Sequence, residues 1–536
     1  MKKKILKKSI IIALLASFCI APFASCNDDS ASLSVGTGLN NTEQTSDPVT
    51  APKYYTMPEE FRLVAYGTPP TTTVSEQDTG AGKWAGDYDE NNAENWRTMK
   101  DCGFDWAQPI YYEDEDADYI LSLSNADAIN KANPDEKPIK VLITNYDYRQ
   151  PTSLAAVTRM KGTYAEAMEA ILAMEDKLKE RYDAFAAYDS FGGIFGADEP
   201  SADMFPSIAA AQDWFEWNYP DYEFYINLFP EYASPTQLFG TLANTDGYAG
   251  LTGQAAYNKY ISEFCKEVTP YMISYDHYCL TTTQTIPGFV YNLAAAATQA
   301  KKLEDESGYE TPFFVYLQSM GFEGKMKIDN YERWAWQCYT SMAFGVTGIQ
   351  AFCYWTLLAE SDGTNIIEDG IVDRNGKPTD LYSIVQRTNQ DIKDLESIYM
   401  SYNWEGAKGW YNGQVSGTMS ELNKSGLETA DYEDISAVKI TSGSNDNREF
   451  LIGQFASRAN SSKKAYMVTN SSEVNFDYQL YYDPGQIDLT FDNGITQVDV
   501  YKPGKGGVAE RIPLTNGVLS LSIPTGEGFF VVPVTE

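Results

Sequence analysis

Apolar positions along the chain follow two patterns, with the change near residue 403. From about residue 60 to 400, short and nearly continuous apolar runs alternate with longer stretches whose apolar residues recur at helical spacing. The runs are FRLVAYG (61–67), FDWAQPIY (104–111), IKVLITNYD (139–147), FGGIFGADE (191–199), YEFYINLFP (222–230), YMISYDHY (271–278), PFFVYLQSM (312–320) and TGIQAFCYWT (347–356). Between them lie amphipathic helix candidates, among them ENWRTMKDCG, TYAEAMEAILAMEDKLKERYDAF, YNKYISEFCKEV, NLAAAATQAKKLEDE and DNYERWAWQCYTSMAFG, with PTDLYSIVQRTNQDIKDLESIY closing the series. Runs that are apolar at successive positions predict parallel strands covered on both faces. Eight of them alternating with helices predict an α/β fold, a (β/α)8 TIM barrel, over 59–402. An open doubly wound sheet is the weaker alternative, because no GxGxxG turn follows the first run. Beyond 403, EFLIGQF, KKAYMVTNSS, FDYQLYY, IDLTFDNG, TQVDVYK and GVLSLSIPTGEGFFVVPV are short strands with turn signals and no helices, predicting a C-terminal antiparallel β-sandwich over 403–536. The segment from Asp488 to Leu514 reads as consecutive hairpins, with Asp492, Asn493 and Gly494 at one turn.

The N-terminus carries a different signal. MKKKILKK followed by SIIIALLASFCIAPFAS reads as a secretory signal peptide over 1–25, too short and too Pro-interrupted for a lasting membrane span. FASC resembles a bacterial lipobox, which implies lipidation of Cys26 and attachment to the membrane through that lipid. Asn27, Asp28 and Asp29 resemble the surface-export signal of Bacteroidetes lipoproteins. The resemblance implies an outer-membrane lipoprotein on the cell surface, with the periplasmic face as the alternative. Residues 26–58, rich in Ser, Thr, Asn, Asp and Gly, read as a flexible tether.

Composition narrows the partner. The formal charge is −35, and loss of the five signal-peptide lysines makes it about −40. Such a surface repels phosphate backbones and excludes nucleic acid as a natural partner. It suits a neutral ligand better than a polyanion. Aromatic residues make up 14% of the chain, with 10 Trp and 38 Tyr, and sugar rings stack on such side chains. Cys102, Cys265, Cys279, Cys338 and Cys353 lie in apolar segments without CxxC spacing. Together with a single histidine, this argues against a metal site, and nothing calls for a cofactor.

In a barrel of this class the chemistry sits at the C-terminal strand ends. The first run ends at Tyr66, with Thr68 beyond, and the second at Gln108 and Tyr111. The third ends at Asn145 and Asp147, the fourth at Asp198 and Glu199, the fifth at Asn227. Asp276, His277 and Tyr278 end the sixth, Gln318 the seventh, and Tyr354 and Trp355 the eighth. Carboxylates, amides and aromatics converge there, with no lysine and no glycine-rich phosphate turn. Paired carboxyls of this kind suit hydrolysis of a glycosidic bond, one held protonated as acid and the other ionised. Glu199 is the candidate acid. Neighbours on a strand face opposite ways, so Asp198 joins it only if the strand end twists. Asp276 lies two strands away, about 9 Å at ~4.8 Å per strand. That falls within the ~6.5–9.5 Å of inverting enzymes. His277 either contacts the ligand or has a structural role, such as holding Asp276.

GADEPS (196–201) is similar to the Asn-Glu(-Pro) that ends the fourth strand in clan A glycoside hydrolases, including the family 42 β-galactosidases. There the Glu is the general acid/base, the role this implies for Glu199. INLFP (226–230), SYDHY (274–278) and WQCYTSMAFGVTGIQAFCYWT (336–356) resemble a set found in Bacteroidetes glycosyl hydrolase-like lipoproteins. The resemblance implies a carbohydrate substrate, contacted by strand-end residues. Two departures stand out. Asp198 replaces the clan's Asn, and Gln318 occupies the position of its seventh-strand nucleophile, with Glu323 in the following loop a poor substitute. The adjacent Asp-Glu also resembles the hexosaminidases of families 20 and 123, in which the substrate's acetamido group attacks. An N-acetylhexosaminidase is thus one alternative, and a glycan-binding lipoprotein without catalysis is the other.

Overall fold

The computed structural model describes residues 58–70, 91–109, 116–144, 153–281, 288–308, 310–322, 325–356, 369–373, 375–412, 419, 422, 432–442, 448–472, 484–492 and 494–534. The signal peptide, the tether through residue 57 with Cys26, Tyr111, Asn145, Asp147 and Glu323 lie outside them. Eight parallel strands form one sheet: β1 (Arg62–Tyr66), β2 (Trp106–Gln108), β3 (Lys140–Thr144), β4 (Phe191–Asp198), β5 (Glu223–Asn227), β6 (Ile273–Asp276), β7 (Phe313–Gln318) and β8 (Gly348–Phe352). Their order is β5-β4-β3-β2-β1-β8-β7-β6, so β5 and β6 meet at the seam. There Leu228 N donates to Ser274 O at 2.8 Å, and Leu228 bridges Tyr275 in parallel. The (β/α)8 barrel expected from the alternation is the fold observed.

Eleven α-helices are described with these strands: α1 (Ala93–Asp101), α2 (Asp116–Ala132), α3 (Leu154–Thr158), α4 (Tyr164–Leu172), α5 (Glu175–Ala186), α6 (Phe205–Asn218), α7 (Pro235–Phe239), α8 (Gly253–Val268), α9 (Gly288–Ser307), α10 (Tyr331–Met342) and α11 (Asp380–Tyr399). The stretch expected as one helix over 163–185 is two. α4 opens with a capping box between Thr163 and Glu166, and α5 restarts where Glu175 and Asp176 supply an acidic first turn. At the N-terminal end of β2, Asp105 is fully buried, and both Lys100 of α1 (2.6 Å) and Lys393 of α11 (2.9 Å) neutralise it.

Period-two alternation sends one set of side chains into the barrel, where they stack in layers. The lowest layer pairs Arg62 of β1 with Glu223 of β5, the guanidinium lying 4.5 Å from the centre of the Trp106 ring. Gly348 leaves room there, since a Cβ would meet the Phe314 ring at 2.7 Å. The middle layer is polar. Tyr225 OH and Ser274 Oγ lie 2.6 Å apart, Gln350 Nε2 donates to both, and Tyr316 OH donates to Gln108 Oε1 at 2.9 Å. The top layer holds the strand-end residues.

The C-terminal region folds as two antiparallel sheets. One has six strands, running from Tyr402–Tyr411 at one edge to Glu510–Pro513 at the other, and one has three, Ile435–Ile440, Gly485–Phe491 and Val518–Ile523. The hairpin expected at Asp492–Gly494 is instead a crossover. Gly485–Phe491 pairs in the small sheet and the next strand, Gln497–Tyr501, in the large one, because the two apolar faces close on each other around Ile487, Leu489, Val498 and Val500. The sandwich docks on the later helices of the barrel. Trp404 Nε1 donates to Ala343 O at 3.1 Å and Trp336 Nε1 to Ser471 O at 3.2 Å. Any side chain at Gly453 would strike Ala343 O. The five cysteines described are free and buried. Among the described residues, no helix is long and apolar enough to cross a membrane.

Candidate active site

The fourth strand is irregular where its sequence turns from glycine to carboxylate. Its register with β5 shifts between Phe195 and Ala197, a bulge at Gly196. A Cβ at Gly196 would lie 2.4 Å from the Phe224 ring, and one at Gly193 (φ 140) would run into the Glu223 backbone. The bulge re-aims the strand end, and Asp198 falls opposite Asn227. Directly paired residues share a face. Asn227 faces inward with Ser274 and Asp276, so Asp198 does too.

Ordinary alternation would now send Glu199 outward. Glu199 instead takes φ 45, the left-handed region that side chains other than glycine rarely enter, while its own N–H still donates to Asn227 O at 2.8 Å. This turn, worth about 1–3 kcal/mol of strain, keeps its carboxyl with those of Asp198 and Asp276. Asn227 Nδ2 donates to Asp198 Oδ1 at 3.2 Å and to Asp276 Oδ1 at 2.8 Å. Those two oxygens are therefore no more than about 6 Å apart, the two bonds laid end to end. Asn227 also receives Ser274 Oγ at 3.2 Å, so one amide both stitches the β5–β6 seam and spaces the two aspartates.

Three carboxyls packed this closely, with Asp276 fully buried, do not all ionise together. Burial, then the charges of Asp276 and Asp198, hold the Glu199 carboxyl well above the usual range. Its Oε2 is sealed from solvent, although part of the residue stays accessible. Burial and the charge of Asp198 raise Asp276 as well, against the hydrogen bond from Asn227. Glu199 Oε2 and Asp276 Oδ2 have no hydrogen-bond partner within the protein. A carboxylic acid kept protonated beside a second carboxyl is the equipment of general acid catalysis.

His277 belongs to the outward set. Its Nδ1 lies 3.1 Å from Asn292 Oδ1 on α9, not on Asp276. Glu231 N, which can only donate, meets the same Asn292 atom at 2.7 Å, so that atom is the oxygen. His277 Nδ1 therefore carries the proton. Burial pushes the ring down to about 3, so it is neutral at physiological pH, with Nε2 a bare acceptor.

Other strand-end residues divide. Tyr66 and Tyr278 face inward and share Phe352, with ring centres at 5.4 and 4.8 Å. Gln108 is buried beneath them, its Nε2 without a partner. Trp355 lies between the rim and Gly376, whose Cβ would meet the indole at 2.7 Å. Tyr354 packs outward on Phe104, at 5.6 Å, and away from the carboxyls. Gln318 is fully engaged. Its Nε2 donates to Leu280 O (3.0 Å) and Met326 O (2.8 Å), and its Oε1 accepts from Leu280 N (3.0 Å).

Two groups escaped the strand-end rule because they sit in loops. Tyr232, five residues past Asn227, stands edge-on to His277 at 5.0 Å, and Asp276 and Glu199, after burial, raise its phenol. Lys325 Nζ lies 5.5 Å from the centre of that ring, and its charge acts on Asp276. No sequence signal short of the folded loops locates either one. Among the described residues, no cluster of His, Cys, Asp and Glu is placed to hold a metal ion. A separate cleft between barrel and sandwich, walled by Phe344, Tyr402, Trp404 and Phe455, encloses about 40 Å³. It is room for a few waters rather than a sugar ring.

No protein-family model and no curated protein matches the chain. Among solved structures it is similar to a family 39 glycoside hydrolase from Bacteroides cellulosilyticus WH2, at 11% identity and TM-score 0.43, over 89% of this chain and 82% of that one. It is similar also to a family 1 β-glucosidase from Thermotoga maritima, at 13% identity and TM-score 0.39, over 64% and 99%. A homocysteine methyltransferase from Escherichia coli follows at 14% identity and TM-score 0.31, over 55% and 91%. Likeness at this level accompanies unrelated chemistries and leaves the reaction to the residues at the barrel mouth.

Proposed function

We propose that the chain is a glycoside hydrolase in which Glu199 protonates the leaving oxygen of an oligo- or polysaccharide. The observation that carries this reading is the cluster of Glu199, Asp198 and Asp276, with burial and mutual repulsion keeping Glu199 protonated. Gln108 keeps an unpartnered Nε2 for a substrate hydroxyl, the buried Tyr66, Tyr278 and Trp355 wall the site, and Asn227, its amide engaged by Asp198, Asp276 and Ser274, spaces the carboxyls. Gln318, bound to backbone on three sides, offers no nucleophile, so the second carboxyl comes from Asp198 or Asp276. That carboxylate either activates a water, which inverts the anomeric centre, or orients a substrate acetamido group, which retains it. Purified protein screened on aryl glycosides and on host and plant glycans, with the first-formed anomer read by NMR, separates the two. Inversion supports water attack, and retention confined to N-acetylated sugars supports the substrate-assisted route. Micromolar glycan binding with no reducing sugar released over days would leave a binding protein and sink the hydrolase.

We propose further that the enzyme is held on the outer membrane by lipid on Cys26. Cys26→Ser is expected to abolish fatty-acid labelling and move the protein from the membrane to the soluble fraction. Undiminished membrane association of that variant would refute the anchor.

A further inference from the structure

We propose that Tyr260, on the outer helix α8, is the positioning residue that holds Glu199 in its working turn; this rests on the reading of Glu199 as the acid. Glu199 occupies a backbone region that side chains avoid, and Pro200 follows it, contributing no N–H of its own. Among the described residues, no donor from the neighbouring chain segment reaches the carbonyl of Pro200. The carbonyl immediately after Glu199, Pro200 O, is instead held from a distance of 60 residues, by Tyr260 OH at 2.7 Å. The same hydroxyl receives Phe229 N at 3.5 Å, in the segment leaving β5 just past Asn227. One buried phenol therefore ties together the chain after Glu199 and the chain after the amide that spaces the two aspartates.

Its ring has no room to swing. Tyr260 is fully buried, with Phe205 at 5.4 Å and Phe229 at 6.3 Å between ring centres. A second tie backs the first. Asp203 accepts from Ser201 Oγ at 2.5 Å and from Thr241 N and Oγ1, each at 2.7 Å, which pins the residue after Pro200 to the 3-10 turn Gly240–Asn244 beyond α7. Phenylalanine at 260 would pack the same ring and donate nothing to Pro200 O.

The test is a double-mutant cycle that needs no substrate. Melting temperatures of the wild type, Glu199→Gln, Tyr260→Phe and the double variant are compared at pH 5 and pH 8. Asp198, Asp276 and Tyr232, which bear on Glu199, and Lys325, which bears on Asp276, are present in all four proteins. In the wild-type background, Glu199→Gln is expected to raise the melting temperature, more at pH 8 than at pH 5. In the Tyr260→Phe background that gain is expected to vanish, because a released Glu199 reaches water. The same gain with the same pH dependence in both backgrounds would overturn the proposal, since a merely structural tyrosine lowers all the temperatures alike. Should Tyr260→Phe give no folded protein, the cycle is run with Tyr260→Met, which likewise donates nothing to Pro200 O, and judged by the same outcomes. On a hydrolysed substrate, Tyr260→Phe is expected to lower kcat at least tenfold with KM within threefold. If no glycoside is hydrolysed, the glycosidase reading fails while the cycle still decides the role of Tyr260.

Discussion

Glu199→Gln is expected to abolish glycoside cleavage and at the same time make the protein more stable at neutral and alkaline pH. The rate loss follows from removing the proton donor. General acid catalysis contributes about 10²–10⁴ in rate, and Gln keeps the shape while giving up the transferable proton. The stability gain follows from the sign of the pKa displacement. Burial and the neighbouring charges hold Glu199 above its ordinary value, so the folded protein keeps a proton that the unfolded chain releases. That contribution is fully present below the unfolded pKa, about 4.3, and is lost as pH rises through the folded value. An amide cannot ionise, so the variant escapes the loss. The advantage of Glu199→Gln should therefore widen from pH 5 to pH 8 in thermal melts. A variant that cleaves like the wild type would remove Glu199 from the mechanism. A variant that melts lower than the wild type at pH 8 would mean that the carboxyl is not held protonated.

Gln318→Glu, which introduces a carboxylate at the end of the seventh strand, is expected to yield no faster enzyme and a clearly less stable one. Gln318 donates two hydrogen bonds and accepts one, all to backbone. An ionised Glu would aim a charge at the carbonyls of Leu280 and Met326. A protonated Glu could satisfy only one of them and would leave the other buried without a donor. The orphaned carbonyl costs about 1–3 kcal/mol, and a loss of that size is expected in denaturant melts. Gln337 adds to the constraint by exchanging two bonds of 3.0 Å with the backbone of Gln318. A gain of retaining activity in this variant would show that the seventh strand end still faces the substrate, contrary to the mechanism proposed.

Much of the architecture was legible in the chain. Continuous apolar runs alternating with helical spacing can be satisfied by parallel strands under helices, and eight of them close. The change of pattern near 403 likewise announced two antiparallel sheets. Sequence fell short where a choice depended on distant partners. The span 492–494 has good hairpin chemistry, yet the burial of two apolar faces sends the chain across to the other sheet.

At the site, the sequence determined which strand ends bear carboxyls and amides, because the period of two and the C-terminal rim are local rules. It marked Glu199 and Asp276, and it marked Gln318 as a departure from the clan A pattern. Whether Asp198 and Glu199 act together lay beyond it, since adjacent strand residues normally part. Only the folded chain decides that, through the bulge at Gly196, the left-handed turn at Glu199 and the amide of Asn227 shared between two aspartates. His277 looked like a possible partner of Asp276, and packing instead assigned it to Asn292. Tyr232, Lys325 and Tyr260 were silent in the sequence, because what places them is contact across the barrel rather than spacing along the chain.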